Sequence, residues 1–265
     1  MINNRIWKKT ALVISQMTAH PHPHPVFVLG NQKSGTSAVA GLLSIATGLS
    51  ATLDLMAEIE RPRYPEVLRG ELAFRDFVRC HKLCFAQPII KDPNLTLLYD
   101  HLRSFFSGAQ FVFVVRDPRD NVRSILDRLD LPGNSSDLTQ QQRNSIPKAW
   151  SLILDSGWLG FADGNYVEML ASRWNIMTDV LLTHRDSIYL IRYEDFLIDK
   201  RGSINQLATQ LGLRTVEDIS DKMDMQFQPR GRNRNLDWLT FFGKENLCRI
   251  EQTCSSRMNR LGYLV

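Results

Sequence analysis

Residues 30–37 read Gly-Asn-Gln-Lys-Ser-Gly-Thr-Ser and directly follow the apolar run 26–29. This pattern predicts a buried strand that enters a glycine-containing turn and then a helix. The backbone N–H groups of such a turn point at one place, and the helix N-terminus adds partial positive charge there. The segment therefore predicts a binding site for a phosphate or sulfate group.

The position of the lysine in this loop bears on its chemistry. In a Walker A loop, G-x-x-x-x-G-K-[ST], the lysine follows the second glycine. Gly30 and Gly35 keep that spacing, but Lys33 precedes the second glycine and Thr36 follows it. A lysine at this place faces the bound group and would neutralise charge on a leaving oxygen. A P-loop kinase of small metabolites using ATP-Mg²⁺ is an alternative, and so is a non-catalytic nucleotide-binding module.

A second group of residues with chemical potential follows the apolar run 111–115. That run ends at Arg116, and a helix is predicted to begin near Asp120. Ser124 then lies one turn into the helix, on a face that can reach the same ligand as Arg116. A guanidinium provides a fork of donors and a hydroxyl provides one more, which together suit a phosphate monoester.

The elements that must position these residues are predicted from hydrophobic spacing. Four short apolar runs predict buried strands, at residues 26–29, 88–90, 111–115 and 188–191. Helical patterns lie between or after them, at residues 38–46, 95–106, 121–129, 167–182 and 204–211. This alternation predicts a three-layer α/β fold, a central mostly parallel sheet flanked by helices. Ligands of such sheets bind beyond the carboxyl ends of the strands.

The composition is that of an ordinary globular protein. The 265 residues are 43% hydrophobic and 23% charged, with a net charge of +4 that does not indicate nucleic acid as a partner. We find neither a secretory signal nor an apolar run of membrane-spanning length, which predicts a cytoplasmic location without membrane contact.

The chain is predicted to form one domain, residues 25–265, after an N-terminal arm and linker at residues 1–24. The alternating His-Pro tract at 20–25 is interpreted as an extended linker rather than a metal site. Residues 132–165 are polar with two tryptophans, Trp150 and Trp158. A lid or substrate-facing insertion is favoured there over disorder.

The two motifs together resemble those of a known family. Residues 33–37 resemble the 5′-phosphosulfate loop, and residues 116–124 the 3′-phosphate motif, of sulfotransferases that use 3′-phosphoadenosine 5′-phosphosulfate (PAPS). The Tyr-Glu-Asp segment at 193–195 resembles the end of a core strand in that family. The resemblance covers most of 26–129 and 166–212, and it implies a P-loop NTPase-like sulfotransferase fold.

The resemblance also implies roles for individual residues. It implies that Lys33 contacts the bridging oxygen of the phosphosulfate, and that Tyr193 contacts the nucleotide. The loop residues implied around the phosphosulfate are Ser34, Gly35, Thr36 and Ser37. The residues implied at the 3′-phosphate are Arg116 and Ser124, with Arg230 and Arg232 as candidates in a divergent C-terminal segment.

Two further residues are implied to be catalytic. Lys91, in a Lys-Asp-Pro segment similar to that of tyrosylprotein sulfotransferases, would stabilise the transferring sulfuryl group. Cytosolic sulfotransferases carry a histidine base near this point, but this chain has Asp92. In the tyrosylprotein branch, a glutamate base follows the basic residue of the loop at a fixed spacing. The same spacing counted from Lys33 falls on Asp54. The other candidates for the base are Glu58, Glu60 and Asp92.

The implied reaction transfers a sulfuryl group in line from PAPS to a hydroxyl or amine of a small-molecule acceptor. It releases 3′-phosphoadenosine 5′-phosphate (PAP) and requires no metal. The acceptor pocket is expected to come from residues 54–85 and 132–165. Basic residues in the first of these could bind an acidic acceptor or form a solvated face: Arg61, Arg63, Arg69, Arg75, Arg79 and Lys82.

Overall fold

A computed structural model describes residues 19–160, 164–229 and 231–263. Within these ranges, five parallel strands form a single sheet in the order β2-β3-β1-β4-β5. The strands are β1 (Val26–Gly30), β2 (Ala51–Thr52), β3 (Ile89–Lys91), β4 (Gln110–Val115) and β5 (Tyr189–Arg192). The predicted α/β fold with a parallel sheet between helices is confirmed.

Helices connect and cover the strands. The first six are α1 (Thr36–Thr47), α2 (Met56–Glu60), α3 (Tyr64–Leu68), α4 (Phe74–Cys80), α5 (Lys82–Phe85) and α6 (Tyr99–Phe105). The next three are α7 (Pro118–Leu129), α8 (Gln140–Ser145) and α9 (Lys148–Leu154). The last four are α10 (Tyr166–Thr183), α11 (Tyr193–Ile198), α12 (Lys200–Gln210) and α13 (Trp238–Leu261). None of the described helices is long and apolar enough to cross a membrane.

The sheet separates two hydrophobic cores. Side chains alternate along a strand, so Phe27 and Leu29 of β1 pack into one core while Val26 and Val28 pack into the other. The first core also contains apolar residues of α6, α7, α10 and α13, and the second those of α1 and α12. Burial on both faces explains why β1 and β4 are continuous apolar runs in the sequence.

The predicted elements leave out several described helices, including α2, α9 and α13, and two further differences concern the sheet and its connections. The strand β2 was not predicted, because two half-buried residues carry no detectable apolar pattern. The predicted helix at 95–106 begins instead as the 3₁₀ turn Pro93–Leu98 and becomes α-helical only in α6. Asp92 explains this start, since its carboxylate accepts a hydrogen bond from the N–H of Asn94 and Pro93 follows it directly.

Two regions outside the sheet bear on the organisation of the chain. Residues 1–18 of the predicted arm lie outside the described residues, whereas residues 19–25 lead into β1. The insertion at 132–165 contains α8, α9 and the 3₁₀ turn Ser156–Leu159 in its described part. Helix α9 packs against both α2 and α10, so this insertion borders the carboxyl edge of the sheet.

Candidate active site

The loop after β1 has an unusual backbone at two positions. Lys33 has φ 64° and Gly35 has φ 96°, both in the left-handed region. A Cβ atom on Gly35 would lie 2.3 Å from the ring of Tyr193, so a side chain cannot fit there. The turn leads directly into α1, whose first amides have no carbonyl partner within the helix and face the loop. This is the predicted strand–turn–helix arrangement of an anion site.

A buried asparagine fastens the loop from a neighbouring helix. The Nδ2 of Asn121, in α7, donates to the carbonyl of Gln32 at 2.8 Å and to Oγ of Ser34 at 2.9 Å. Its Oδ1 accepts a hydrogen bond from Nδ2 of Asn31 at 2.9 Å. Ser34 is consequently buried with its hydroxyl in this network, behind the loop surface.

The amino group of Lys33 lies among other cations. Its Nζ is 3.5 Å from the carbonyl oxygen of Pro229, and no described carboxylate forms an ion pair with it. Burial, together with the charges of Arg128 and Arg116, lowers the pKa of Lys33 from 10.5 to about 8. A polyanion bound at the loop would favour the charged form again.

Arg116 connects the loop to the end of β5. Its Nη1 donates to the carbonyl of Lys33 at 3.1 Å, and its guanidinium stacks over the ring of Tyr193 at 4.7 Å. The Nε of Arg116 is buried without a hydrogen-bond partner. Asp120 is 4.0 Å away, the outer limit of an ion pair. Donor capacity therefore remains on the Arg116 guanidinium for a ligand, and Ser124 lies in the second turn of α7.

Lys91 and Asp54 form an ion pair on the other side of the loop. The Nζ of Lys91 is 2.8 Å from Oδ1 of Asp54. The Lys91 side chain is 1% exposed, whereas that of Asp54 is 34% exposed. The strands β2 and β3 are neighbours, so the residues that follow them meet at one edge of the sheet. Asp54 thus has an accessible carboxylate beside a cation.

Glu58 was one of the three other candidates for the base, and its carboxylate is already occupied. It accepts hydrogen bonds from the N–H of Arg63 at 2.5 Å, from the guanidinium of Arg63 at 3.0 Å, and from Nε2 of His81 at 2.6 Å. Burial opposes its ionisation, but these bonds outweigh burial and lower its pKa. Glu58 thus fixes the segment that follows α2.

Asp92 is also held by several donors. It accepts from the N–H of Leu55 at 3.1 Å, from the hydroxyl of Tyr64 at 2.9 Å and from the N–H of Asn94 at 2.9 Å. Burial, and then the charge of Asp54, raises the pKa of Asp92 to about 6. The remaining candidate, Glu60, is exposed on α2 and does not line the cavity described next.

One cavity of about 760 Å³ spans the carboxyl edge of the sheet. Eleven of the sequence-predicted residues line it: Lys33, Gly35, Thr36, Ser37, Asp54, Glu58, Lys91, Asp92, Arg116, Ser124 and Tyr193. Ser34 lies behind it, and Arg232 lies outside it with its side chain 86% exposed, near Asp130. Arg230 lies outside the described residues. Within those residues, no three His, Cys, Asp or Glu side chains are close enough to hold a metal ion.

Sequence reasoning missed a buried arginine behind this cavity. Arg173 of α10 is fully buried, and its Nη2 donates to Oδ1 of Asn94 at 2.8 Å and to Oε1 of Gln32 at 3.3 Å. Burial lowers its pKa to about 9. Arg173 thereby joins the residue before Lys33 to the turn after Lys91. A cation on the apolar face of the helical pattern at 167–182 was the available signal.

The segment that precedes residue 230 packs against the start of α1, beside the loop that follows β1. The side-chain amide of Gln228 donates to Oγ of Ser37 at 3.0 Å, and the ring of Phe227 packs where a side chain on Gly41 would be. Gly231 and Arg234 also line the cavity. The C-terminal segment therefore forms another wall of the cavity.

A model of the "Sulfotransferase family" matches residues 54–218, more than half of the chain. The chain belongs to the sulfotransferase family. The matched range includes Asp54, Lys91, Arg116 and Ser124, whereas the loop around Lys33 precedes it. No curated protein sequence matches the chain significantly.

Solved structures of sulfotransferases share the fold at low sequence identity. The sulfotransferase domain from the curacin biosynthetic pathway is 12% identical, with a TM-score of 0.51 over 94% of this chain and 100% of that one. Sulfotransferase STF9 from Mycobacterium avium is 12% identical, with a TM-score of 0.55 over 93% and 78%. Mouse sulfotransferase SULT7A1, complexed with PAP, is 16% identical, with a TM-score of 0.51 over 92% and 88%.

Proposed function

We propose that this sulfotransferase transfers the sulfuryl group of PAPS to a hydroxyl or amine of a small-molecule acceptor. The observation that carries the proposal is a single cavity with two kinds of wall. An anion-binding loop and Arg116 line one part, and the accessible Asp54–Lys91 pair lines another. A donor and an acceptor can therefore lie side by side.

The residues present fit a nucleotide with phosphate groups at two positions. The loop amides and Lys33 suit the 5′-phosphosulfate, and the guanidinium of Arg116 and the hydroxyl of Ser124 suit the 3′-phosphate. The PAP present in the mouse SULT7A1 structure supports this choice of nucleotide. PAPS supplies the activated sulfuryl group that the reaction consumes.

The side chains divide the chemical work. The hydroxyl oxygen or amine nitrogen of the acceptor molecule bonds to sulfur, and Asp54 takes up the proton that this atom loses. Lys91 holds the Asp54 carboxylate in position by pairing with it at 2.8 Å. Lys33 and Lys91 stabilise the negative charge that develops on the sulfuryl and leaving oxygens. The S–O bond to the nucleotide breaks, and the leaving phosphate stays held by the loop.

The two alternatives predict different ligands. A small-metabolite kinase would bind ATP-Mg²⁺, and a non-catalytic module would bind a nucleotide without turnover. Lys33 precedes Gly35, which does not follow the Walker A order. The accessible carboxylate of Asp54 beside the loop favours an enzyme over a passive module.

Calorimetric titration with PAP and with ATP-Mg²⁺ tests the donor. We expect PAP to bind more tightly, and tighter binding of ATP-Mg²⁺ would contradict the proposal. Lys33→Ala tests catalysis: removal of one charge-stabilising donor is expected to lower kcat about 100- to 1,000-fold. Lys244→Ala, which removes an exposed lysine of α13, is the matched control. Unchanged turnover in Lys33→Ala would remove the role assigned to it.

A further inference from the structure

Lys33 occupies a turn position that normally suits glycine or asparagine. The N–H of Ser34 donates to the carbonyl of Asn31 at 3.2 Å, which closes a four-residue turn with Lys33 as its third residue. Lys33 has φ 64°, and a positive φ at the third position of a turn is usually provided by glycine or asparagine. A lysine in this conformation persists only where the surrounding structure holds it.

The side-chain amide of Asn121 contacts the loop on both sides of Lys33. Its Nδ2 donates to the carbonyl of Gln32, the residue before Lys33, and to Oγ of Ser34, the residue after it. A carbonyl oxygen only accepts hydrogen bonds, so the NH2 group of the amide must face the loop. Asn31 fixes the other end, because its Nδ2 donates to Oδ1 of Asn121. A single amide therefore holds both neighbours of the lysine.

Helix α7 fixes Asn121 independently of the loop. The N–H of Asn121 donates to the carbonyl of Asp117 at 2.8 Å, and the carboxylate of Asp117 caps the helix by accepting from the N–H of Arg119 at 2.9 Å. Arg116 also contacts the turn, through the carbonyl of Lys33, but the Arg116 side chain lines the cavity. Asn121 is fully buried and does not line the cavity, so its amide serves the loop alone.

The pKa of Lys33 reflects where its side chain lies. The side chain lines the cavity, where burial and the charges of Arg128 and Arg116 lower its pKa to about 8. The further charged groups that act on it are Asp127, which raises the pKa, and Lys91, which lowers it. A lysine turned out into water would have a pKa near the ordinary value of 10.5. The pKa therefore reports whether the turn keeps its conformation.

We propose that Asn121 is a positioning residue, which holds Lys33 in the left-handed conformation that directs its amino group into the cavity. This inference rests on the proposed function, because it concerns how charge on the leaving oxygen is stabilised. It assigns a role to a position of the 116–124 motif for which the resemblance implies none. Asn121 acts through the lysine rather than on the donor, since it does not line the cavity.

A double-mutant cycle with Lys33 tests the proposal. Turnover is measured as release of PAP from PAPS with water as the acceptor: the water oxygen bonds to sulfur and loses its proton, the S–O bond to the nucleotide breaks, and sulfate forms. We expect Asn121→Ala to lower kcat about 10- to 100-fold, because a displaced catalytic group is much less effective. In the Lys33→Ala protein the same change should cost less than about twofold. Equal losses in both backgrounds would overturn the inference.

The titration of Lys33 provides a second readout, which requires no turnover. Calorimetry measures PAP affinity and proton uptake as a function of pH. In the wild-type protein, proton uptake should begin near pH 8. In Asn121→Ala the released lysine should move this onset upward by about one pH unit or more, because it is no longer desolvated among cations. An unchanged onset would show that Lys33 keeps its place without Asn121.

Asn175→Ala is the matched control for loss of folding stability. Asn175 of α10 likewise donates its Nδ2 to a backbone carbonyl of another helix, that of Thr253 at 2.7 Å, and it does not line the cavity. Thermal unfolding measures the stability that each variant loses. Asn175→Ala should change neither kcat nor the onset of proton uptake, and equal effects of the two variants would overturn the inference. Asn121→Ser, which keeps a hydroxyl donor, replaces Asn121→Ala in both measurements if the alanine variant does not fold.

Failure of this inference can be distinguished from failure of the proposed function. If PAP binds and Lys33→Ala loses turnover, while Asn121→Ala behaves like the wild-type protein, only the inference is wrong. If PAP does not bind, the proposed function is wrong, and the inference fails with it. If Lys33→Ala keeps its kcat, the role assigned to Lys33 is wrong, and Asn121 has no catalytic group to position.

Discussion

Lys33 and Lys91, which both line the cavity, lie in opposite electrostatic environments. Lys33 has cations as neighbours, and burial with the charges of Arg128 and Arg116 lowers its pKa to about 8. Lys91 also lines the cavity, but its amino group is paired with the carboxylate of Asp54 at 2.8 Å. The loop end therefore carries excess positive charge, which a polyanion would neutralise. The other end is electrically balanced, because its lysine is paired with a carboxylate.

This difference explains why the donor end of the cavity can be predicted from the sequence, whereas the acceptor end cannot. Charge excess arises from residues close together in the chain, such as the loop 30–37 and the motif 116–124. Apolar walls arise from segments that only the fold brings together, such as α2 and α9. Four experiments can break or sharpen the comparison between the two ends.

The largest effect is expected at the balanced end, from Asp54→Asn. Loss of the proton acceptor should lower kcat about 100- to 10,000-fold, with PAP affinity little changed. Steady-state kinetics and calorimetry measure the two quantities. Glu60→Gln removes an exposed carboxylate outside the cavity and is the control. If Asp54→Asn keeps its kcat, the base lies elsewhere.

The next effect is expected at the loop end, from Arg116→Met. Loss of charge-assisted hydrogen bonds to the 3′-phosphate should weaken PAP binding about 10- to 100-fold. Binding of AMP, which lacks that phosphate, should change much less. A variant that loses affinity for PAP and AMP equally would show that Arg116 supports the loop rather than the 3′-phosphate.

A pH dependence of PAP affinity follows from the lowered pKa of Lys33. Below about pH 8 the lysine of the free protein is charged, and PAP binds without proton uptake. Above that pH the free lysine is neutral, and the bound phosphates favour its charged form, so binding requires a proton. Affinity should fall by up to about tenfold per pH unit. Calorimetric titration in buffers of different ionisation enthalpy measures this proton uptake, which Lys33→Met should abolish. If PAP affinity of the variant still falls with pH in the same way, Lys33 is not the group that takes up the proton.

The smallest effect distinguishes two arginines of the C-terminal segment. Arg234 lines the cavity, whereas the side chain of Arg232 is 86% exposed, 3.6 Å from Asp130. We expect Arg234→Ala to weaken PAP binding about two- to fivefold, and Arg232→Ala to change it less, because exposed charges are screened. The reverse order in calorimetry would show that the segment rearranges when the nucleotide binds.

The sequence was sufficient for four of the five described strands and for the loop, but not for the choice among carboxylates. Apolar runs define β1 and β4 because both faces of those strands are buried. The sequence alone gives no ground for choosing the base among Asp54, Glu58 and Asp92, because all three are carboxylates. Only tertiary contacts distinguish them. The carboxylate of Glu58 accepts hydrogen bonds from Arg63 and His81, and that of Asp92 accepts hydrogen bonds from three donors, whereas the carboxylate of Asp54 remains accessible.

The ring of Tyr193 lies against Gly35 on one side and beneath the guanidinium of Arg116 on the other. The two proposed anion-binding elements, which follow β1 and β4, thus share one aromatic spacer that follows β5. A side chain introduced at Gly35 would push the ring, and the ring would displace Arg116. A smaller residue in place of Tyr193 would relieve the contact but not the left-handed backbone of Gly35, so the glycine is required for two independent reasons.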